Sequence, residues 1–181
     1  MASAAEIRSY LEGRLGDRVC FDRRERKLYG HDIAEIPGLI RPLVGETIPD
    51  AVVQPVSEEE LAELVAWAGK NRIPLTPRGK ATSGYGGAIP VKQGIVVDFY
   101  RMDRVLAVDP EARQARVQPG LVLDDLNRAL APHGLMFGPD VATIDRATLG
   151  GMLGNNSSGA RSLVYGKTVD HVLAMQVLLA D

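Results

Sequence analysis

The chain has 181 residues, 45% of them apolar and 24% charged, which is enough to bury one core or two small ones and too apolar for disorder. Its 21 basic side chains stand against 23 acidic ones, so there is no broad positive field to hold nucleic acid or an anionic membrane. Cys20 is the single cysteine, which excludes an internal disulfide and a cysteine-ligated metal cluster built by this chain.

The N-terminus, MASAAEIRSYLEGRLG, lacks the apolar run of a signal peptide and spaces Ile7, Leu11 and Leu15 four residues apart, predicting an amphipathic helix. A soluble protein of a reducing, cytoplasmic compartment follows, in which Cys20 is a small buried apolar residue. Residues 17–50 show no clear periodicity, and DRRERK at 22–27 reads as a solvated turn. Regular order begins with AVVQP from Ala51 as a short strand. SEEELAELVAWAGKNRI is then a helix, with Ser57 and Glu60 at capping-box spacing and a stripe of Leu61, Leu64, Val65 and Ala68. IPLTP at 73–77 is the next strand, ended by its proline, and IVVDF at 95–99 a third. Strand, helix, strand predicts a parallel unit, because parallel neighbours need a crossover.

The pattern then changes. RVLAVD at 104–109 and QARVQP at 114–119 flank the turn PEAR and predict a hairpin. LVLDDLNRALAPHG is a helix with Leu123, Leu126, Ala129 and Leu130 on one side and Gly134 as its C-terminal cap. A last strand is expected through VLAMQVLLA, an apolar run from Val172 to Ala180 too short to span a bilayer. The fold class is therefore α+β, a small parallel α/β lobe followed by a mainly antiparallel α+β lobe. Its parts are an N-terminal helix and extension (1–47), a first lobe (48–100) and a second lobe (101–181).

Two glycine-rich segments carry the chemistry. GGMLGNNSSGARSLVYGKT at 150–168 ends in Gly-Lys-Thr, yet Arg161 stands where a P-loop needs its first glycine, and Gly159 is two residues too far away. A nucleotide triphosphatase is rejected. PRGKATSGYGGAIP at 77–90 sets four glycines between two prolines, so it is a loop whose backbone approaches a ligand. Its N–H groups and the hydroxyls of Thr82 and Ser83 suit an anion. A Rossmann turn is a poor match, because Ile89 occupies the third glycine position after Gly84 and Gly86. The expected ligand is a diphosphate held by loops, with no helix N-terminus in the leading role.

In these motifs the chain resembles the FAD-binding (vanillyl-alcohol oxidase or PCMH-type) domain of the FAD-linked oxidases, the fold of the glycolate oxidase and D-lactate dehydrogenase flavin subunits. The motifs are VVQPVSEEELAELV, TPRGKATSGYGG, PGLVLDDL, Gly-Pro-Asp at 138–140, and Thr-Leu-Gly-Gly leading to Tyr-Gly-Lys-Thr. They run in order from about residue 48 to the end. The last is especially similar to large members in which the flavin unit is joined to an iron-sulfur segment.

The resemblance implies that the amides of Arg78, Gly79, Lys80, Ala81, Thr82 and Ser83, with the Thr82 hydroxyl, hold the FAD pyrophosphate. Pro139, Asp140, Thr148, Gly150, Gly151, Gly154, Asn155 and Ser158 line the cofactor's other side, and Lys167 is an ordinary surface lysine. Ala81 replaces a family glycine, so its backbone is expected to keep an angle that alanine tolerates. Covalently flavinylated relatives carry histidine where Thr82 stands, so non-covalent FAD is expected. The chain ends at Leu-Leu-Ala-Asp inside an expected strand and reads as an N-terminal portion.

No catalytic base and no metal site is named. His31, His133 and His171 fall at element ends, as surface or capping residues, and Asp140 is a backbone organiser. The implied activity is oxidation of a 2-hydroxy acid by hydride transfer to FAD, this portion alone being inactive. An electron acceptor or iron-sulfur partner would complete the reaction, and peripheral membrane association through a partner stays open. The alternatives are another flavin reaction on a sugar or cell-wall precursor, or a non-catalytic module on the same fold.

Overall fold

The computed structural model describes residues 3–34, 38–39 and 41–179. The chain divides into two units, Met102–Val177 and the residues before it together with Leu178 and Leu179.

In the first unit, α1 (Ala4–Leu15) starts at a capping box: Ser3 Oγ accepts from the Glu6 N–H at 3.3 Å and Glu6 Oε2 from the Ser3 N–H at 2.6 Å. Ile7, Leu11 and Leu15 are buried, as their spacing predicts. After β1 (Val19–Cys20) the segment read as a solvated turn is a helix, α2 (Arg23–Leu28). Its signal is a cap rather than a stripe, since the Asp22 carboxylate accepts from the N–H groups of Arg24 and Glu25 at 2.8 and 3.1 Å. Cys20 is only half-buried, and its Sγ lies 3.0 Å from Glu25 Oε2. Four-residue α3 (Arg41–Val44) follows.

The sheet of this unit has the order β1, β2 (Ala51–Val53), β4 (Ile95–Asp98), β3 (Leu75–Arg78). β1 pairs antiparallel with β2, and the other pairings are parallel. β4 is buried along its whole length, which is why Ile95, Val96 and Val97 form an unbroken apolar run. Pro77 does not end β3 but lies within it, paired with Val97; an edge strand tolerates the missing N–H.

Between β2 and β3 runs α4 (Glu58–Asn71), whose Ser57 cap accepts from the Glu60 N–H at 3.2 Å. Only half of the expected capping box forms. The Glu60 carboxylate instead accepts from the Val56 N–H at 3.0 Å and takes two parallel hydrogen bonds from the Arg18 guanidinium, each 2.6 Å. Ile7, Leu11, Leu15, Ala51, Val53, Leu64, Ile95 and Val97 make one core, and Tyr10 stacks on Trp67 at 3.9 Å beside it. Helix α1 thus belongs to the same core as the parallel strands.

In the second unit β5 (Val105–Asp109) and β6 (Gln114–Val117) form the expected antiparallel hairpin. Helix α5 (Leu123–Leu130) packs Leu126 and Leu130 against hairpin residues Val105, Val108 and Val117, and turns Leu123 toward Ala147 and Met152. One further turn ends at Gly134, in the left-handed conformation.

Two expectations fail here. Residues 149–155 are not a loop but a helix, α6 (Leu149–Asn155), started by Thr148 and stopped by Asn156 at φ 44°. A four-residue helix, α7 (Ser162–Tyr165), follows. The strand expected from Val172 does not form through Leu179, and Ala180 lies outside the described residues. Leu173, Met175, Val177 and Leu179 are 77, 64, 56 and 69% exposed; apolar composition alone makes no strand without a neighbour to complete its hydrogen-bond ladder.

A candidate flavin site

In the first unit β3 delivers Arg78 to the mouth of the glycine loop. Its side chain turns to backbone carbonyls of the N-terminal extension and of the loop's far end. The guanidinium donates to the carbonyls of Tyr29, His31 and Ala88 at 3.2, 2.9 and 3.3 Å, and lies 5.1 Å from the Tyr29 ring centroid. Burial lowers its pKa from the usual guanidinium range, the charges of Asp98, Tyr29 and Asp32 opposing that shift. Tyr29 Oη donates in turn to Asp98 Oδ2 at 3.0 Å, which also accepts from Gln54 Nε2 at 3.0 Å. Burial first, then the Asp98 carboxylate, pushes the Tyr29 phenol up to about 12.

Past Arg78 the chain runs through Gly79 to Gly87 without regular structure. The N–H groups of Lys80 through Tyr85, and the hydroxyls of Thr82 and Ser83, have no acceptor among the described residues. Residues 81–84 are only partly exposed, and a row of half-buried, unpaired donors is a chemical preference for an anion. Ala81 has φ 52°, against the expectation of an angle that suits alanine. Gly84 and Gly86 have φ 71° and 80°. Lys80 folds its ammonium over the Tyr100 ring at 4.0 Å.

In the second unit Gly150 serves close packing. A Cβ there would sit 2.8 Å from Pro119 Cβ, and the Gly150 N–H donates to the Pro119 carbonyl at 2.8 Å. The Pro-Gly of 119–120 and the Gly-Gly of 150–151 are thus two sides of one contact. Thr148 Oγ1 accepts from the Gly151 N–H at 3.4 Å, and Asn155 Nδ2 donates to the Gly151 carbonyl at 2.8 Å. Gly154 differs, since a Cβ there would meet nothing within 4 Å. Its bare face is open.

Pro139 is fully buried, and Asp140 organises backbone as expected. Asp140 Oδ1 accepts from the Arg161 N–H at 3.2 Å and Oδ2 pairs with Arg161 Nε at 3.0 Å. Gly159, which the sequence reading did not select, is obligatory beneath it, because a Cβ there would collide with the Asp140 carbonyl. Ser158 is exposed on that turn.

Gly-Lys-Thr also has its explanation here. Thr168, fully buried, donates through both N–H and Oγ1 to the Ser157 carbonyl at 3.0 and 2.8 Å. Gly166 has φ 78° with the Asp170 carboxylate packed where a Cβ would go, and Lys167 is exposed. The triplet closes a turn.

His31 and His133 are exposed near element ends, and His171 Nε2 lies 2.5 Å from the Tyr165 carbonyl oxygen with its ring against Phe137. Among the described residues no group of three or more His, Cys, Asp or Glu could hold a metal ion, and no helix is long and apolar enough to cross a membrane.

Comparison with known proteins turns this architecture into a class. Residues 49–181 match the FAD binding domain family, and the chain belongs to it. Among curated relatives it is 44% identical over 138 residues to D-2-hydroxyglutarate dehydrogenase of Escherichia coli (strain K12), covering 74% of this chain and 13% of that protein. It is 37% identical over 136 residues to glycolate oxidase subunit GlcD of Bacillus subtilis (strain 168), covering 75% and 29%.

Among solved structures, an alkyldihydroxyacetonephosphate synthase superposes with a TM-score of 0.80 at 30% identity, covering 94% of this chain and 35% of that one. A p-cresol methylhydroxylase shares the fold, with a TM-score of 0.68 at 22% identity over 82% and 28%. The chain therefore spans about a third or less of the relatives it matches. FAD is the cofactor of this domain, and the unpaired donors between Lys80 and Tyr85 fit its diphosphate.

Proposed function

We propose that the chain is the FAD-binding portion of a flavin-dependent oxidoreductase that oxidises a 2-hydroxy acid. The observation that carries the cofactor's placement is the donor row in the first unit. Of the run Arg78 to Ser83, the unpaired main-chain N–H groups from Lys80 onward and the Thr82 hydroxyl hold the pyrophosphate, each bond to a charged oxygen contributing roughly 1.5–3 kcal/mol. In the second unit Pro139, Asp140, Thr148, Gly150, Gly151, Gly154, Asn155 and Ser158 are assigned to cofactor binding. Gly150 acts there by bringing backbone close, since its own N–H is taken by Pro119. Asp140 acts through the turn it holds, and Gly154 through the open face it leaves.

FAD, when bound, supplies the hydride acceptor. The protein's part is to place and orient it. Thr82 offers no imidazole for a covalent link, so the flavin is held without one. A base for the substrate hydroxyl and an electron acceptor belong to the whole protein. The substrate class rests on relatives named for D-2-hydroxyglutarate and glycolate.

Anaerobic addition of D-2-hydroxyglutarate, D-lactate or glycolate to the yellow full-length protein should bleach its flavin absorbance with one of the three. A flavin that none of them reduces would overturn the substrate class. A second reading, a different flavin reaction, draws on the 94% coverage by the alkyldihydroxyacetonephosphate synthase. Formation of an alkyldihydroxyacetonephosphate by a protein that no hydroxy acid bleaches would favour it.

A further inference from the structure

We propose that Asp32 is a positioning residue for the cofactor, and that Leu28–Ala34, outside the family match at 49–181, is the scaffold that aims the donor loop. This role rests on the loop at Lys80–Ser83 being the pyrophosphate cradle.

Asp32 is 6% exposed, in a stretch with no apolar pattern to draw it inward. Burying a carboxylate costs several kcal/mol unless its oxygens are satisfied. Both are: Oδ1 accepts from the Ala34 N–H at 2.9 Å, and Oδ2 from the Gly86 N–H at 2.8 Å. The first bond shapes the scaffold and the second holds the far end of the loop to it.

Two more ties join the same segments. The Ile33 N–H donates to the Ala81 carbonyl at 3.0 Å, and Arg78 binds the carbonyls of Tyr29 and His31 at the loop's start. In a trans peptide a carbonyl and the following N–H point in opposite directions. With the Ala81 carbonyl drawn onto Ile33, the Thr82 N–H is aimed away from the scaffold. Loop ends fixed at Arg78 and Gly86, with the middle tied at Ala81, present pre-oriented donors, which lowers the ordering cost of binding.

In the full-length protein Asp32→Asn keeps one acceptor for Ala34 and turns an amide NH₂ toward the Gly86 N–H. Apo-protein is titrated with FAD by flavin fluorescence, and with ADP, at a temperature where circular dichroism shows it folded. At least about tenfold weaker binding of both is expected, the consequence of one misplaced charge-assisted bond, with faster hydrogen exchange across residues 79–86. Folded Asp32→Asn protein that melts earlier yet binds FAD with wild-type affinity overturns the role.

If Asp32→Asn does not fold, Ile33→Pro decides. That side chain is 63% exposed, and the change removes the donor to Ala81; unchanged FAD affinity sinks the proposal. Gly79→Val separates the two levels. Flavin retained in Gly79→Val rejects the loop assignment itself, whereas flavin lost there but held normally by Asp32→Asn rejects only the scaffold.

Discussion

Ala81 occupies the left-handed region at φ 52°, which costs an L-residue about 1–2 kcal/mol. The resemblance implied that relatives carry glycine at this position. It did not reveal that alanine itself takes a positive φ here, where the Ile33 N–H holds its carbonyl. Ala81→Gly relieves the strain and adds roughly 0.5–1 kcal/mol of unfolded-state entropy loss. The net expectation is a gain of about 0.5–1 kcal/mol in urea denaturation, with FAD affinity at least maintained. A loss of stability would mean that Ala81 packs more than it strains.

Among elements, the N-terminal extension has more work than its irregular sequence suggests. Its two-residue strand pairs with β2, Arg18 grips Glu60 of α4, and Tyr29 reaches Asp98 at the end of β4. None of these shows as periodicity, because each joins one or two residues to a partner far away in sequence. The Tyr29 bond has a pH signature. Its pKa is raised in the folded state from 10.0 to about 12, so the neutral phenol is favoured by folding. The stabilisation is complete below about pH 10 and is lost as pH rises toward 12. Tyr29→Phe should therefore be less stable than wild type at pH 8, the gap narrowing across that window in denaturant melts. A gap independent of pH would remove the titration and leave only packing.

For the whole molecule, cofactor and fold are coupled by mass action. FAD at 100 times its dissociation constant should stabilise the full-length apo-protein by about 2.7 kcal/mol, seen as a rise in melting temperature. Gly79→Val should abolish the rise, and acid precipitation of the loaded protein should leave the flavin in the supernatant. Yellow precipitate would show a covalent link and contradict the reading of Thr82.

Motif order, the parallel strand-helix-strand unit, the hairpin and the FAD class could all be read from the chain, because each depends on residues close in sequence or on a local backbone preference. The helix at 149–155 escaped that reading: three glycines argue for a loop, and what holds them helical is Thr148 at one end, Asn156 at the other and Pro119 packed against Gly150. The failed strand after Val172 is the converse case, since its composition favours β structure and no ladder forms. Asp32 and Gly159 also became visible only in three dimensions, as did the carbonyls that hold the half-buried Arg78 side chain. Hydrophobic spacing is written along one element, whereas the partners of a buried polar group and the space denied to a Cβ are set by chain segments that meet only on folding.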